Sequence, residues 1–418
     1  MKNTLIKFLG NRFNKEFIGL NIILFSFYFV VLSSFNIGID EDIMFSTPDS
    51  RTYLGVSSWI LGSAETNYTL VRPFFYPLLI SITYGVFGVI ALWLVQFLMW
   101  LISINLIYLS LKRLTCNTVL SFFVAIIAAS NVSYLAHTLH GLTEVITVFF
   151  ISVLVYTVAV YKENYTSAKF YICILFILSV LTAIKPVFYL PTLFHVFFIF
   201  PVFYFRKHWK NIKFYCLILI ALAPIVIQLS IMKSKHDVLK ISEIGSYTFY
   251  NYLFLKGYQN HNQIDYYTAK EQIEKLTKEE KNTYMLLNKK VFIAAFFENL
   301  KENLKSSASM FVYPVEFTQK SYYNFMNKMN EWYYYIHLLF AFLWLISMIF
   351  LVRKKAYDSL MLNIILAAFL YYIILTSGIS YMQGDRLTMP TIPIWLVLYP
   401  VVFVELIKGA KSLKFRKH

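Results

Sequence analysis

The chain has 418 residues, of which 58% are hydrophobic and only 14% are charged, and its formal net charge is +16. Soluble domains carry about 25% charged residues, so this composition excludes an ordinary soluble fold and indicates a protein of the lipid bilayer. The basic residues form short clusters at the ends of apolar runs. That placement indicates membrane topology and contact with anionic lipid headgroups, and it argues against nucleic-acid binding.

Ten apolar segments are long enough to cross about 30 Å of hydrocarbon as helices. The first follows Lys2, Lys7, Arg12 and Lys15, and because it lacks a small-residue cleavage site we interpret it as an uncleaved span. The predicted spans cover residues 17–37, 89–111, 117–136, 142–161, 168–184, 187–205, 213–232, 332–352, 359–378 and 387–407.

One further apolar stretch, Pro73–Phe87, reaches only roughly 22 Å and contains two prolines. If it does not cross, six basic clusters lie on the cytoplasmic side, as the positive-inside rule requires. We therefore predict an interfacial or re-entrant helix here, with the N- and C-termini in the cytoplasm. The cysteines Cys116, Cys173 and Cys216 then lie next to cytoplasmic loops, where thiols stay reduced.

These spans divide an all-α polytopic membrane protein into three parts. Residues 1–232 form an N-terminal transmembrane module, whose first outer loop (38–88) holds the candidate site. Residues 233–331 form an outer, mostly helical region, and residues 332–418 form a C-terminal transmembrane module. In the outer region, Thr268 and Thr277 begin capping-box patterns, and Phe292, Phe296, Leu300 and Leu304 predict one amphipathic helix.

The first outer loop places an acid, a tyrosine and an arginine close together. Asp49 and Tyr53 are four residues apart, on one face of a helix that Ser46, Thr47 or Asp49 itself could cap. Arg72 and Pro73 then open the short apolar helix. Asp40, Glu41 and Asp42 are further acids in the same loop.

In this order the features resemble the GT-C superfamily of membrane glycosyltransferases, and most closely its protein mannosyltransferase and aminoarabinose transferase branch. Asp49 and Tyr53 are similar to its D-x-x-x-Y stretch, Arg72-Pro73 to its basic-Pro pair, and Phe87-Gly88 to the end of its aromatic helix. Further resemblance lies in the segments Gly141–Tyr156, Leu181–Pro191 and Gly384–Leu398.

The resemblance implies an inverting transfer from a polyprenyl-phosphate sugar to a glycan, lipid or protein acceptor on the outer face. Asp49 is the implied base, with Asp40, Glu41 and Asp42 as alternatives. Arg72, Lys185 and Arg386 would bind the donor phosphate, because a phosphate leaving group needs positive charge and no general acid. The candidates for lining the substrate pocket are Tyr53, Tyr76, His140, Glu144 and Asp385.

The choice of donor and membrane follows from composition. The bias towards Lys, Asn, Phe, Tyr and Ile is typical of an AT-rich bacterium, which favours undecaprenyl phosphate, the inner membrane and cell-envelope glycan. No metal-ligand spacing joins the three cysteines, and a divalent cation stays an open alternative to a cofactor-free site.

Six of the site residues also have a purely structural explanation. The sole role of Asp49 could be to cap a helix, and the sole role of Arg72 and Arg386 could be to reach lipid headgroups. Glu144 could stabilise a helix N-terminus, Lys185 could mark a tight turn, and His140 could be structural.

Two rival functions predict different sequence features. An O-antigen-type polysaccharide polymerase or ligase would use outer arginines or histidines on a diphosphate donor, whereas residues 233–331 contain 14 lysines and no arginine. A lipid-linked-sugar transporter or flippase would show inverted repeats and ionisable residues in mid-span. The charges of this chain lie mainly at span ends.

Overall fold

The structure is a computed structural model that describes residues 15–34, 38–63, 66–208, 210–306, 317–381 and 383–414. Within these ranges all regular secondary structure is helical and no strand occurs, which confirms the all-α class for this part of the chain. Lys2, Lys7 and Arg12 of the predicted N-terminal basic cluster lie outside the described residues.

The N-terminal half contains eleven α-helices, with short 3₁₀ turns between some of them. They are α1 (Lys15–Ser34), α2 (Glu41–Met44), α3 (Pro48–Ile60), α4 (Phe75–Phe87), α5 (Val89–Thr115), α6 (Thr118–Ala129), α7 (Val132–Ala136), α8 (Glu144–Val160), α9 (Ala168–Ile184), α10 (Tyr189–Phe194) and α11 (Arg206–His208). A π-helical stretch, His195–Phe205, connects α10 to α11.

Nine more α-helices follow, and a π-helical turn at Phe249–Phe254 joins the second to the third of them. They are α12 (Ile212–His236), α13 (Ile244–Thr248), α14 (Leu255–Asn262), α15 (Tyr266–Glu274), α16 (Lys278–Leu287), α17 (Lys289–Lys305), α18 (Phe317–Arg353), α19 (Tyr357–Ser377) and α20 (Ile392–Lys414).

Seven helical segments in the described ranges are long and apolar enough to cross a membrane, so the chain is a polytopic helical membrane protein. They are Lys15–Ser34, Val89–Thr115, Pro186–His208, Ile212–His236, Asn327–Arg353, Tyr357–Ser377 and Met389–Lys408.

The other three predicted spans differ from simple long helices. Residues 117–136 form a pair, Thr118–Ala129 and Ser133–Leu139, bent by 58°, which would make an eighth span if the pair counts as one. The helices α8 and α9 have 17 residues each, about 26 Å, which is near the lower limit for a crossing. The helix α4 has 13 residues and is shorter still.

The described residues between α12 and α18 are mostly helical, as predicted, but one of the two predicted caps is wrong. Thr277 and Glu280 form the expected capping box at the start of α16. Thr268 does not begin a helix, because Asp265 caps α15 instead: its carboxylate accepts hydrogen bonds from the backbone N–H groups of Tyr267 and Thr268 at 2.9 and 3.1 Å. Aspartate is one of the strongest N-cap residues, and it comes three positions earlier.

Helix α17 has the predicted amphipathic pattern, since Phe292 is buried and Leu300 and Leu304 pack against the main core. The predicted module boundaries do not coincide with helix ends. The 232/233 boundary falls inside α12 and the 331/332 boundary falls inside α18.

Two apolar clusters position the candidate site. The larger one packs α5 against α1, α6, α8 and α20, around the buried rings of Tyr28, Trp100 and Tyr108. The smaller cluster joins α3 and α4 to α5, α8 and α9. Its buried members are Met44, Phe45, Tyr53, Tyr76, Ile80, Leu92, Leu142, Ile146, Val180 and Ile184.

Candidate active site

Asp49 is held by the first turn of α3. Of the three possible caps, Thr47 is the one used: its hydroxyl accepts a hydrogen bond from the backbone N–H of Ser50 at 3.1 Å, and Pro48 begins the helix. Tyr53 lies one turn after Asp49 and is only 4% exposed. The predicted shared face of Asp49 and Tyr53 therefore exists, and it faces the protein interior at Tyr53.

Arg72 contacts this face from the segment just before α4. Its guanidinium forms an ion pair with Asp49, and its Nε donates a hydrogen bond to Thr52 Oγ1 at 2.8 Å. The same guanidinium lies over the Tyr53 ring, 4.7 Å from the ring centroid. A charge-assisted hydrogen bond and a cation–π contact thus fix the guanidinium beside Asp49.

Arg386 reaches the other oxygen of Asp49 from the turn between α19 and α20. Its Nη2 lies 2.7 Å from Asp49 Oδ2, and its Nε lies 2.7 Å from Glu144 Oε1. Lys185, after the last residue of α9, contacts the same Glu144 oxygen at 3.1 Å. Five charged side chains from distant parts of the sequence thus form one continuous ion-pair chain: Arg72, Asp49, Arg386, Glu144 and Lys185.

The ion-pair chain carries one net positive charge, because it contains three cations and two carboxylates. Burial by itself raises the pKa of Asp49, but the positive charges of Arg386 and Arg72 outweigh burial and lower the pKa below its ordinary value of 3.8. Glu144, the first residue of α8, is fully buried, and within the described residues its Oε2 accepts no hydrogen bond. Asp49 is the more accessible carboxylate, with about a third of its side chain exposed (32%).

The remaining pocket candidates, Tyr76, His140 and Asp385, form contacts with other side chains. Tyr76 is fully buried, packs edge-on against Tyr53 at 5.2 Å between ring centroids, and donates a hydrogen bond to Gln96 Oε1 at 3.3 Å. His140 is buried with its Nδ1 3.4 Å from Ser46 Oγ. The Asp385 carboxylate accepts a hydrogen bond from Asn330 at 3.2 Å.

The three alternative acids are arranged differently from Asp49. Asp40, Glu41 and Asp42 are exposed at the start of α2, where Asp40 accepts a hydrogen bond from the backbone N–H of Ile43 at 2.8 Å and so caps the helix. Within the described residues, Asp49 is the only one of the four loop acids that forms ion pairs with Arg72 and Arg386. These contacts distinguish Asp49 from the three alternative acids.

Two cavities lie beside other parts of the chain, and Asp49 lines neither of them. An open cleft of about 500 Å³ lies between α11 and α12 and is lined by Arg206, Lys207, His208, Lys210, Asn211, Ile212 and Lys213. A small cavity of about 30 Å³ lies next to Asp385, among Asn330, His337 and Trp395. At Asp49 the carboxylate and the two guanidinium groups contact each other directly.

Sequence reasoning missed three residues that hold the site together. Gln228 and Asn303 are buried amides that bind backbone groups near Arg72 and Arg386. A lone glutamine in the apolar run of α12, and an asparagine on the apolar side of α17, were the available signals. Gly141 is the third, because a Cβ there would meet Phe45 at 2.8 Å, and its backbone N–H donates to Met44 O at 2.8 Å.

Within the described residues, no group of three or more His, Cys, Asp or Glu side chains is arranged to hold a metal ion. Comparison with models of known protein families, with curated proteins and with solved structures gave no significant match. The function is therefore argued from the geometry of the ion-pair chain.

Proposed function

We propose that the chain is an inverting glycosyltransferase that moves a sugar from a polyprenyl-phosphate donor to a glycan, lipid or protein acceptor. The observation that supports this most is the contact of two arginines with the two oxygens of one partly exposed carboxylate. A phosphate offers arginines the same kind of bidentate, charge-assisted contact that a carboxylate does. The site therefore combines a candidate base with the groups that would bind the leaving phosphate.

The reaction needs one bond made and one bond broken. The acceptor oxygen attacks the anomeric carbon, and the bond from that carbon to the phosphate oxygen breaks with its electron pair on the phosphate. Asp49 takes the hydroxyl proton. The charge on the phosphate then changes from one negative to two, and Arg72, Arg386 and Lys185 stabilise it.

Donor binding would change Asp49 from an ion-pair partner into a base. While Asp49 holds both arginines, its lowered pKa makes it a weak proton acceptor. When the donor phosphate takes over the guanidinium contacts, the two positive charges are shared with the phosphate and the pKa of Asp49 rises again. The carboxylate is then free to accept a proton from the acceptor hydroxyl.

The charge of the site favours a monophosphate donor over the diphosphate donor of a polymerase or ligase. The five groups carry one net positive charge, which the single negative charge of a phosphodiester neutralises. A diphosphate would leave an excess negative charge in a partly buried site, which is unfavourable. The flippase alternative gains no such support, because the five charges lie in loops or at helix ends.

We also propose the finer topology that was predicted from the sequence. In this topology the protein has ten spans, α4 lies at the membrane interface, and both termini lie in the cytoplasm. The ion-pair chain then lies at the outer surface of a bacterial inner membrane. Undecaprenyl phosphate is the proposed lipid carrier, and cell-envelope glycan, lipid or protein is the proposed acceptor. The ion pair of Arg72, just before α4, with Asp49 in α3 supports an interfacial position for α4.

The direct test is a transfer assay with purified protein in proteoliposomes. Undecaprenyl-phosphate sugars and undecaprenyl-diphosphate sugars are supplied with a cell-envelope extract as the acceptor source, and the released lipid carrier is identified by mass spectrometry. We expect release of undecaprenyl phosphate, slowed by about 10²–10⁴-fold in Asp49→Asn.

The control is Asp42→Asn, which changes an exposed acid of the same loop and should retain activity. Full activity in Asp49→Asn would contradict the role of Asp49. Release of undecaprenyl diphosphate from the diphosphate donors would support the polymerase or ligase alternative.

A further inference from the structure

A buried amide holds the backbone beside Arg72. Gln228 lies on α12 and is only 2% exposed. Its Oε1 accepts a hydrogen bond from the backbone N–H of Phe74 at 2.8 Å, and its Nε2 donates to the carbonyl of Ile241 at 2.7 Å. Phe74 is two residues after Arg72 and occupies the N-cap position of α4. Its own side chain makes no capping hydrogen bond there. Gln228 therefore fixes the point from which the Arg72 side chain extends.

A second buried amide holds the backbone beside Arg386. Asn303, on α17, is fully buried. Its Nδ2 donates to the carbonyls of Ser377 and Ser380 at 2.9 and 2.8 Å. Its Oδ1 accepts hydrogen bonds from the backbone N–H groups of Gln383 and Gly384 at 3.0 and 2.8 Å.

Four bonds use the full capacity of an asparagine amide. An amide offers two donor hydrogens and an oxygen that accepts two hydrogen bonds in one short side chain, whereas a hydroxyl has only one donor hydrogen. The turn between α19 and α20 needs both donors and an acceptor, because two of its carbonyls and two of its N–H groups bond to the Asn303 side chain. Gly384 is two residues before Arg386 and has a φ of +57°, so the turn is sharp at that point.

We propose that Gln228 and Asn303 are positioning residues that bring the two arginines to one point. This inference rests on the proposed function, because the point at which the arginines meet is the proposed phosphate site. An arginine side chain is long and has many rotamers, so its head group converges on a target only if its backbone is fixed. The two amides fix it for two arginines that are far apart in sequence.

The simpler explanation is that the two amides only complete the hydrogen bonding of buried backbone, as buried polar groups generally do. The two explanations differ in what a substitution does to anion binding. Loss of a purely structural amide lowers the unfolding temperature alone. Loss of a positioning amide also lowers phosphate affinity, and does so only while its arginine is present.

The experiment measures binding of undecaprenyl phosphate to the full chain in lipid nanodiscs. We expect Gln228→Met and Asn303→Leu each to weaken binding about tenfold, the effect of losing roughly one well-made hydrogen bond. The matched control is Asn363→Leu. Asn363 is an equally buried amide that bonds Ser359 and Glu405 and lies about 20 Å along α19 from Ser377, so its loss should leave binding unchanged.

Double variants distinguish positioning from general destabilisation. In an Arg72→Leu background, Gln228→Met should cause no further loss of affinity, and Asn303→Leu should cause none in Arg386→Leu. Independent, multiplying losses would overturn the positioning role. If Asn303→Leu fails to fold, Asn303→Ser is measured in its place with the same expectation.

The outcomes separate this inference from the proposed function. Weak binding in Arg72→Leu and Arg386→Leu with normal binding in the amide variants would overturn only the positioning role. Normal binding in both arginine variants would contradict the phosphate site itself, and with it the proposed function.

Discussion

At the residue scale, the site is defined by how two arginines divide one carboxylate between them. Arg72 contacts one oxygen of Asp49 and Arg386 contacts the other, while Glu144 holds Arg386 from its far side. In the proposed function, Asp49 occupies the position that the donor phosphate would take between the two arginines. The arrangement pairs both arginines with carboxylates and leaves one net positive charge, which the proposed donor phosphate would neutralise.

The first prediction at this scale concerns pH. The pKa of Asp49 is lower in the folded protein than its ordinary value of 3.8, because Arg386 and Arg72 outweigh the effect of burial. Such a carboxyl stabilises the fold above its unfolded pKa and loses that contribution as the pH falls through the folded pKa. We expect a constant unfolding temperature from about pH 7 to about pH 5 and a decrease below about pH 4.

The measurement is a thermal unfolding series in detergent over this range. Asp49→Asn should flatten part of the decrease at low pH, whereas Asp42→Asn should retain the wild-type decrease. An identical pH profile for Asp49→Asn and the wild type would show that the carboxyl does not stabilise the fold through its ion pairs.

The second residue-scale prediction concerns the buried end of the ion-pair chain. Glu144 is shared by Arg386 and Lys185, so Glu144→Leu leaves both cations without this carboxylate. Lys185→Met leaves Glu144 paired with Arg386. Because removing one partner of a buried ion pair costs about 3–5 kcal/mol, we expect Glu144→Leu to lower the unfolding temperature more than Lys185→Met. The opposite order would contradict the shared role of Glu144.

Sequence reasoning singled out the charged residues that the structure brings into contact, and it missed the residues that hold the backbone. Asp49 and Tyr53 follow from the four-residue period of a helix, and Arg72, Lys185 and Arg386 follow from their place at span ends. Gln228 and Asn303 bind backbone groups far away in sequence, and no local pattern indicates such partners. His140 and Asp385 come near the site, but in the described contacts they bond to Ser46 and Asn330.

At the element scale, a close approach of two loops sets the position of α3. The backbone N–H of Gly141 donates to Met44 O, and the Gly141 Cα faces the ring of Phe45. A Cβ at this point would meet Phe45 at 2.8 Å, closer than side chains ordinarily allow. The loop before Glu144 and the loop before Asp49 can be this close only with glycine at residue 141.

We therefore predict that Gly141→Ala lowers both the unfolding temperature and the rate of sugar transfer, because the Cβ displaces the loop that carries Asp49. Overpacking of this kind costs about 1–3 kcal/mol. Gly245→Ala is the matched control, since a Cβ at Gly245 meets nothing within 4 Å. Equal behaviour of the two variants in unfolding and transfer assays would contradict the role of this contact.

Helix composition predicted most elements, and local polar groups explain where it did not. The predicted span 117–136 is broken because Ser130 and Asn131 stand between its two halves, and the Asn131 side chain caps α7 by accepting from the Tyr134 N–H at 2.9 Å. Asp265 displaced the predicted cap at Thr268 for the same reason: a stronger cap residue lay nearby. The length of an apolar run does not indicate where such a capping residue ends or begins a helix.

At the scale of the whole molecule, the fold brings together charges from both ends of the chain. Asp49 and Arg72 come from the first loop, and Glu144 and Lys185 from the ends of α8 and α9. Arg386 comes from the 3₁₀ turn Gly384–Arg386, between α19 and α20. The sequence predicted only that these five residues lie on the same side of the membrane. The actual contacts depend on how α3, α5, α8 and α9 pack, which no sequence pattern specifies.

Topology gives the prediction at this scale. Two single-cysteine chains are compared by labelling spheroplasts with a membrane-impermeant maleimide: one retains only the exposed native Cys116, and the other carries only Tyr267→Cys, at a site that is 81% exposed in the wild type. We expect Tyr267→Cys to react in intact spheroplasts and Cys116 to react only after permeabilisation. The reverse pattern would put the ion-pair chain on the cytoplasmic side and contradict the proposed topology.

In the proposed function, Asp49 and the donor phosphate compete for the same two arginines. This competition is measured as the affinity of undecaprenyl phosphate for wild-type and Asp49→Asn protein in nanodiscs. We expect Asp49→Asn to bind about tenfold more tightly, because a charge-assisted contact no longer has to be broken. Weaker binding in Asp49→Asn than in the wild type would contradict the claim, since it would mean that the carboxylate assists the phosphate site and does not compete for it.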